Sequence, residues 1–302
     1  MSVPADPVEL SAPAELTAPA KLTVSLRVTG VRADGYHLVE SEMVTLDLVD
    51  TLRVADGEGL TVDEQFAGRS GEDRGWRSGE VGAGPDNLVA RALRAVGRTA
   101  QVELIKRIPP GAGLGGGSAD AAAILRWARC TDPTLAAGLG ADIPFCVTGG
   151  RALVRGIGEE VAPLPFEERA FTLFLLPFGM DTGAVYAAWD ALRSGSTSVG
   201  AAADGSAGTA GVAGTGPTPG LTGSPTAGVN DLEAPAVAVE PRLGAWRDHL
   251  AGLIGRRPWL AGSGSTWFVE GTAAELGLEG RSEVRMGAER SLVVPVRTVP
   301  PS

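Results

Sequence analysis

Residues 107–123 read RIPPGAGLGGGSADAAA, and five of the seven positions from Gly111 to Gly117 are glycine. A turn between two elements needs one or two glycines, and each further one costs folding entropy. So dense a cluster marks a place where something approaches bare backbone closely. QVELIKRI (101–108), before it, reads as a strand. ADAAAILRWAR, after it, reads as a helix with Ser118 as the expected N-cap. A helix start carries unpaired N–H groups and a partial positive charge, and glycines admit an anion to them. The stretch therefore predicts a phosphate cradle. The alternative is a tight strand-to-helix turn, which would not need Gly111, Gly113, Gly115, Gly116 and Gly117 together.

Other phosphate loops fit poorly. A Walker A loop ends in Gly-Lys-Ser/Thr, whereas Gly117 is followed directly by Ser118. G-x-G-x-x-G is matched, but a dinucleotide fold wants a further strand ending in an acidic residue. Asp132 lies at about that distance, yet LRWARCTDPT reads as a helix end and a turn. The H-R-D and D-F-G elements of protein kinases are absent.

Around the loop the chain reads as α+β. LTVSLRV (22–28) and MVTLDLVDTLRVA (43–55) alternate apolar and polar residues, as half-buried strands do. An Asp-Gly turn signal lies between them, 76–85 is a loop, and 86–97 is a helix ending at Gly97. LGADIPFCVTGG is expected to be irregular, RALVRGIGEEVAPL a hairpin, FTLFLLP (171–177) a buried strand and TGAVYAAWDALR (182–193) a helix. Residues 230–253 read as a helix in two pieces because of Pro235 and Pro241. STWFVEG and LVVPVRTV are later strands, with a short helix near TAAELG. From Ser194 to Gly228 only Val199, Asp204, Val212 and Leu221 are not Gly, Ala, Ser, Thr or Pro, so this is expected to be a flexible insertion.

The chain has 302 residues and a net charge of −10, which disfavours a nucleic-acid partner but not an anionic small molecule at a local site. The longest apolar run, near FTLFLLPF, is too short to span a bilayer. The acidic, proline-rich N-terminus has the character of neither a secretory nor an organelle leader, and residues 1–17 are expected to be a disordered lead-in. Two cysteines (Cys130, Cys146) and two histidines (His37, His249) offer no metal-ligand spacing, so no metal ligands are assigned. Isolated, reduced cysteines fit a cytoplasmic protein.

PPGAGLGGGSADAAA resembles the second signature of the galactose, homoserine, mevalonate and phosphomevalonate (GHMP) kinase superfamily. APAKLTVSLRVTGVRADGYH (18–37) is similar to its first motif and AGSGSTWF (261–268) to its third. RADGYH, DNLVARAL, LGADIPFCVTGGRALVRGIGE and NDLE resemble one branch, which phosphorylates the 2-hydroxyl of 4-diphosphocytidyl-2-C-methyl-D-erythritol. The resemblance implies a two-domain α+β fold with an N-terminal domain over 18–164 and a C-terminal one over 165–302, the latter carrying the insertion 194–228. The active site would lie in the cleft between them. It implies ATP held by Pro109, Pro110, Gly111, Ala112, Gly113, Leu114, Gly115, Gly116, Gly117, Ser118 and Ala119, with Asn87 near the nucleotide. Mg²⁺ would arrive with ATP, nearest to Ser118 and Asp120. Lys21 and Asp142 would be catalytic, the first a cation at the transferred phosphoryl, the second accepting or orienting the hydroxyl proton. Thr23, Tyr36, His37 and Tyr186 would contact the substrate, the aromatic groups holding cytosine.

Each assignment has a plainer alternative. Lys21 could be a surface lysine at a strand edge. Asp142 could cap a turn, Asn87 could cap the 88–97 helix, and Tyr186 could be a core aromatic. Two departures from the superfamily pattern stand out: Thr23 occupies a place usually taken by Asn, and the stretch from Ser118 to Asp142 is short. The rival functions are another superfamily kinase, of homoserine or mevalonate type, and a non-catalytic protein retaining the ATP fold. A monomer or a homodimer is expected.

Overall fold

Two long strands come first in the chain. In the computed structural model, which describes residues 13–66, 81–196 and 228–301, β1 (Ala14–Val31) and β2 (His37–Ala55) pair antiparallel on either side of the RADGYH turn. β1 starts inside the expected lead-in, with Ala14 opposite Val54; residues 1–12 lie outside the described residues. The β1 alternation is real, but its polar side is not solvated. Lys21, Thr23 and Ser25 are as buried as Leu22, Val24 and Leu26.

β2 is the spine of the first sheet. It pairs with β1, with β4 (Gln101–Lys106) and with β5 (Arg151–Gly156). β3 (Gly59–Glu64) runs parallel to β4, and β6 (Glu160–Pro163) completes the hairpin expected at 151–164. The second sheet is built from β7 (Ala170–Leu175), β8 (Trp259–Leu260), β9 (Trp267–Glu270), β10 (Glu283–Met286) and β11 (Glu289–Arg297), in the order β10-β11-β7-β9-β8. β3, β8 and β10 have no counterpart in the sequence-based expectations.

The helices are α1 (Leu88–Ala95), α2 (Gly116–Trp127), α3 (Pro133–Leu139), α4 (Ile143–Thr148), α5 (Thr182–Ser196), α6 (Glu233–Val239) and α7 (Arg242–Ile254). α2 begins earlier than expected. Gly115, left-handed at φ 66°, takes the cap position, and Ser118 falls inside the first turn without capping it. The stretch expected to be irregular contains α4, and α3 precedes it, capped by the Asp132 carboxylate. The expected helix at TAAELG is absent. Thr272 and Glu275 exchange the bonds of a helix start, but Gly277 at φ 68° ends the chain's turn there. The 230–253 helix does break ahead of Pro241, where Glu240 is extended. Pro235 sits harmlessly in the first turn of α6, where no N–H is needed. Of the low-complexity segment, 197–227 lies outside the described residues.

Apolar residues on all sides of α2 explain its place at the centre: Ala119, Ala121, Ala122, Ala123, Ile124 and Leu125 are all buried. They pack with α1, α4 and the first sheet. A second core, including Leu22, Val24, Phe171 and Phe268, joins β1 to the second sheet. A third, around Trp246 and Trp267, lies under α5, α6 and α7. The loop before α2 therefore meets β1, the third motif and α1 in one place.

Candidate active site

Lys21 is 5% exposed, which rules out the surface alternative. Its N–H donates to the Leu114 carbonyl at 3.0 Å, tying β1 to the glycine loop. Its ammonium donates to Thr23 Oγ1 at 3.0 Å and lies 3.2 Å from Asp142 Oδ2. Asp142 stands at the start of α4, yet its side chain caps nothing there. The turn-capping alternative is thus not realised, and the carboxylate is turned to Lys21. Thr23, standing where Asn is usual, uses its hydroxyl as an acceptor for the same ammonium.

The glycines answer to close packing as much as to an incoming anion. A Cβ at Gly113 would overlap the carbonyl oxygen of Ala261, and at Gly115 it would lie 2.7 Å from Lys21 Cγ. Both have positive φ. The loop is bonded to the third motif, Ser265 N–H to Gly111 O at 3.2 Å and Thr266 N–H to Ala112 O at 3.1 Å. The third motif is itself held by NDLE. Asn230 Nδ2 donates to Leu260 O at 2.9 Å and to Gly262 O at 2.7 Å. The sequence pattern singles out NDLE without revealing this task.

A buried charged triad is absent from the sequence-based expectations. Lys106 Nζ donates to Asp120 Oδ2 at 2.7 Å and to Asp50, whose other oxygen accepts the N–H groups of Arg107 and Ile108. All three side chains are almost fully buried. Burial opposes the Lys106 charge, but Asp120 and Asp50 hold its pKa above the ordinary value. Burial dominates at Asp120 and lifts it to about 7 against the pull of Lys106. Removing one partner from such a pair costs about 3–5 kcal/mol, so the triad clamps the end of β4 to the start of α2. The signal is present in the sequence: Val102, Leu104 and Lys106 share one face of β4, and a lysine on an apolar face implies a buried partner. Asp120 is thus engaged by Lys106 through Oδ2, while its buried Oδ1 has no partner among the described residues.

Lys21, Thr23, Lys106, Asp120, Asp142 and the glycine loop line one cleft of about 1160 Å³. Asn87, as its plainer alternative held, caps α1 through a bond from Val89 N–H at 2.9 Å, and it also lines the cleft. Tyr36, His37 and Tyr186 line the same cleft. Tyr36 is 57% exposed. The His37 and Tyr186 rings stack on each other at 4.6 Å and 30°, and Trp189 meets His37 edge-on at 5.3 Å. Burial, with Asp142 adding to it, pushes the Tyr186 hydroxyl up to about 12, so it stays protonated at neutral pH. His37 Nε2 is 2.9 Å from Asp190 Oδ1, a residue that no sequence motif marks. Among the described residues, Lys21 and Lys106 are the cleft's lysines, against Asp86, Asp120, Asp142 and Asp190. The loop's amides add further donors for an anion there. The N–H groups of Gly116, Gly117 and Ser118, in the first turn of α2, are the ones a helix leaves unpaired.

Residues 87–150 match the family described as GHMP kinases N terminal domain. The chain is 38% identical over 268 residues to a 4-diphosphocytidyl-2-C-methyl-D-erythritol kinase of Rhodopseudomonas palustris (strain BisA53), covering 83% of this chain and 86% of that one. It is 39% identical over 258 residues to the enzyme of the same name from Paracoccus denitrificans (strain Pd 1222), covering 81% and 82%. Among solved structures, a 4-(cytidine 5'-diphospho)-2C-methyl-D-erythritol kinase superposes with a TM-score of 0.61 at 26% identity, over 95% of this chain and all of the other. A mevalonate kinase of L. major shares the fold alone, with a TM-score of 0.57 at 11% identity over 99% of both chains. Fold and site together define a small-molecule kinase of the GHMP superfamily. Within it, the chain belongs to the 4-diphosphocytidyl-2-C-methyl-D-erythritol kinase family.

Proposed function

We propose that this protein transfers the γ-phosphoryl group of ATP to the 2-hydroxyl of 4-diphosphocytidyl-2-C-methyl-D-erythritol, a step of the non-mevalonate isoprenoid pathway. The observation that carries the reading is the Lys21–Asp142 pair, 3.2 Å apart, in the same cleft as the glycine loop and the Tyr36, His37 and Tyr186 cluster. The ATP phosphates rest on the loop 109–119, against the first-turn amides of α2. Asp142 orients the substrate hydroxyl and takes its proton as the new O–P bond forms and the bond to the β-phosphate oxygen breaks. Lys21 stabilises the charge on the equatorial oxygens. Thr23 holds Lys21 in place through their hydrogen bond. Tyr36, His37 and Tyr186 hold the cytosine.

Mg²⁺ would enter bound to ATP, since it takes most of its ligands from phosphates and water. The donor set fits that role: among the described residues no group of three His, Cys, Asp or Glu side chains could hold a metal alone. Ser118, half-buried in the first turn of α2, and Asp120, whose Oδ1 has no partner among the described residues, would be the nearest side-chain donors to it. No helix among the described residues is long and apolar enough to cross a membrane, and a cytoplasmic enzyme acting on soluble metabolites accords with this reading.

The test is ADP release with three acceptors: the cytidine substrate, homoserine and mevalonate. Turnover with the first alone is expected. Faster turnover with either of the others would transfer the protein to another branch of the superfamily.

A further inference from the structure

The His37–Asp190 contact has no place in the phosphoryl-transfer scheme, and the two residues are 153 positions apart. Asp190 Oδ1 is 2.9 Å from His37 Nε2. A carboxylate can only accept, so the ring nitrogen that faces it carries the proton. A neutral imidazole has one N–H, and Nδ1 is then left as a bare acceptor. Among the described residues nothing bonds to Nδ1, and the Asp190 carboxylate has no partner besides His37.

The rest of α5 holds the ring. Tyr186 stacks on it, Trp189 meets it edge-on, and Arg193 lies over the Trp189 ring at 4.7 Å. Tyr186, Trp189 and Asp190 stand at i, i+3 and i+4, so one face of one helix supplies stack, wall and acceptor. The His37 side chain is 11% exposed and Asp190 51%, which leaves the imidazole sheltered and its proton acceptor at the rim of the cleft.

We propose that Asp190 is a positioning residue that fixes the His37 proton on Nε2 and thereby sets the base preference of the cleft. The inference rests on the function proposed above. An acceptor at Nδ1 pairs with the exocyclic amine of cytosine. Uracil presents a carbonyl oxygen at that place, and the two lone pairs repel. Asp190 thus acts on the base through His37 and touches none of the reacting atoms.

The chain has only two histidines, His37 and His249, and His249 lies exposed on α7. Imidazole ¹⁵N spectra of the wild type and of Asp190→Ala, both in a His249→Gln background, therefore report His37 alone. They are taken without substrate at about pH 8, above the ordinary histidine range. The wild type should show the Nε2–H form, and Asp190→Ala should gain the Nδ1–H form. Steady-state kinetics on the cytidine substrate and its uridine counterpart complete the test. Asp190→Ala should lose roughly tenfold in preference for cytidine, the worth of about one hydrogen bond. The KM for ATP should stay put, and Asp190→Glu, which retains an acceptor, should recover part of the preference. An Ala variant that keeps both the wild-type spectrum and the wild-type preference overturns the proposal. So does one in which ATP and both cytidine and uridine substrates weaken together with a lowered melting temperature, because Asp190 is then only structural. If the wild type fails to turn over the cytidine substrate, the functional reading falls, while the spectra still decide what Asp190 does to His37.

Discussion

The two parts of the cleft that we assign to phosphoryl transfer and to base binding, the phosphoryl end and the base end, are built differently. At the phosphoryl end, Lys21 is 5% exposed and is fixed by a strand, a loop carbonyl, a threonine hydroxyl and a carboxylate. The loop beside it is wedged against backbone of the third motif and clamped from below by the Lys106 triad. At the base end, Tyr36 is 57% exposed on a turn, and a single helix, α5, supplies the opposing wall. His37 and Tyr186 stack on each other there, so the imidazole offers a base its edge rather than the face that Tyr186 covers. The difference fits the work proposed for each end. Charge that develops during transfer is best met by groups already in place, whereas a base can be gripped by side chains that move on binding. Changes at the first end should therefore reach kcat, and changes at the second KM.

The largest expected effect is at Asp142. Asp142→Asn keeps the size but loses the proton acceptor, and kcat should fall by about 10²–10⁴ while ATP still binds. A folded Asn variant with near wild-type turnover would remove Asp142 from the chemistry. Next is His37→Ala, which should raise the KM for the cytidine substrate roughly tenfold or more, since a base platform is worth about 1–3 kcal/mol. The KM for ATP should barely move in a variant that melts like the wild type. Equal losses for both substrates would dissolve the division between the ends.

The remaining effect concerns stability rather than turnover. The native Asp120 carboxyl is lifted to about 7, whereas an unfolded chain holds an aspartate near 3.9. Between those values the folded state binds a proton that the unfolded state releases, so this group's contribution falls as pH rises from about 4 to about 7. Asp120→Asn removes that dependence. Relative to the wild type, the variant should melt higher at about pH 8 than at about pH 5. A constant difference in melting temperature would mean that Asp120 is ionised throughout and held by Lys106 alone. The cytidine KM should not follow this pH dependence, because the triad sits at the phosphoryl end.

Much of this is legible in the sequence, for uneven reasons. The close approach to the glycine loop can be read because five glycines between a strand and a helix serve little purpose unless an anion or another backbone comes close, and the third motif does come close. RADGYH points to the base end, and alternation finds β1, β2 and β4. Periodicity cannot show that the polar side of β1 faces inward, because Lys21, Thr23 and Ser25 are buried by elements distant in sequence. The Gly115 cap is hidden by Ser118, a better cap by residue type that the chain passes one turn too late. α3 and α4, of seven and six residues, are too short for a 3.6-residue repeat to declare itself. Asp190 and Asn230 are out of reach for another reason. Their partners, His37 and the carbonyls of Leu260 and Gly262, are set by tertiary packing and not by local spacing.

The division of labour is tested most directly by removing the nucleoside from the substrate. kcat/KM is compared for 4-diphosphocytidyl-2-C-methyl-D-erythritol and for the same methylerythritol phosphate without its cytidine, at saturating ATP. In the proposed scheme the base end contributes binding energy that positions the 2-hydroxyl at Asp142, so its loss should lower kcat/KM by roughly tenfold at the least, taking one stacked base at about 1–3 kcal/mol. In His37→Ala the gap between the two substrates should narrow. Equal kcat/KM for the capped and uncapped substrates in the wild type would contradict the account, since the aromatic end of the cleft would then hold nothing that the reaction uses.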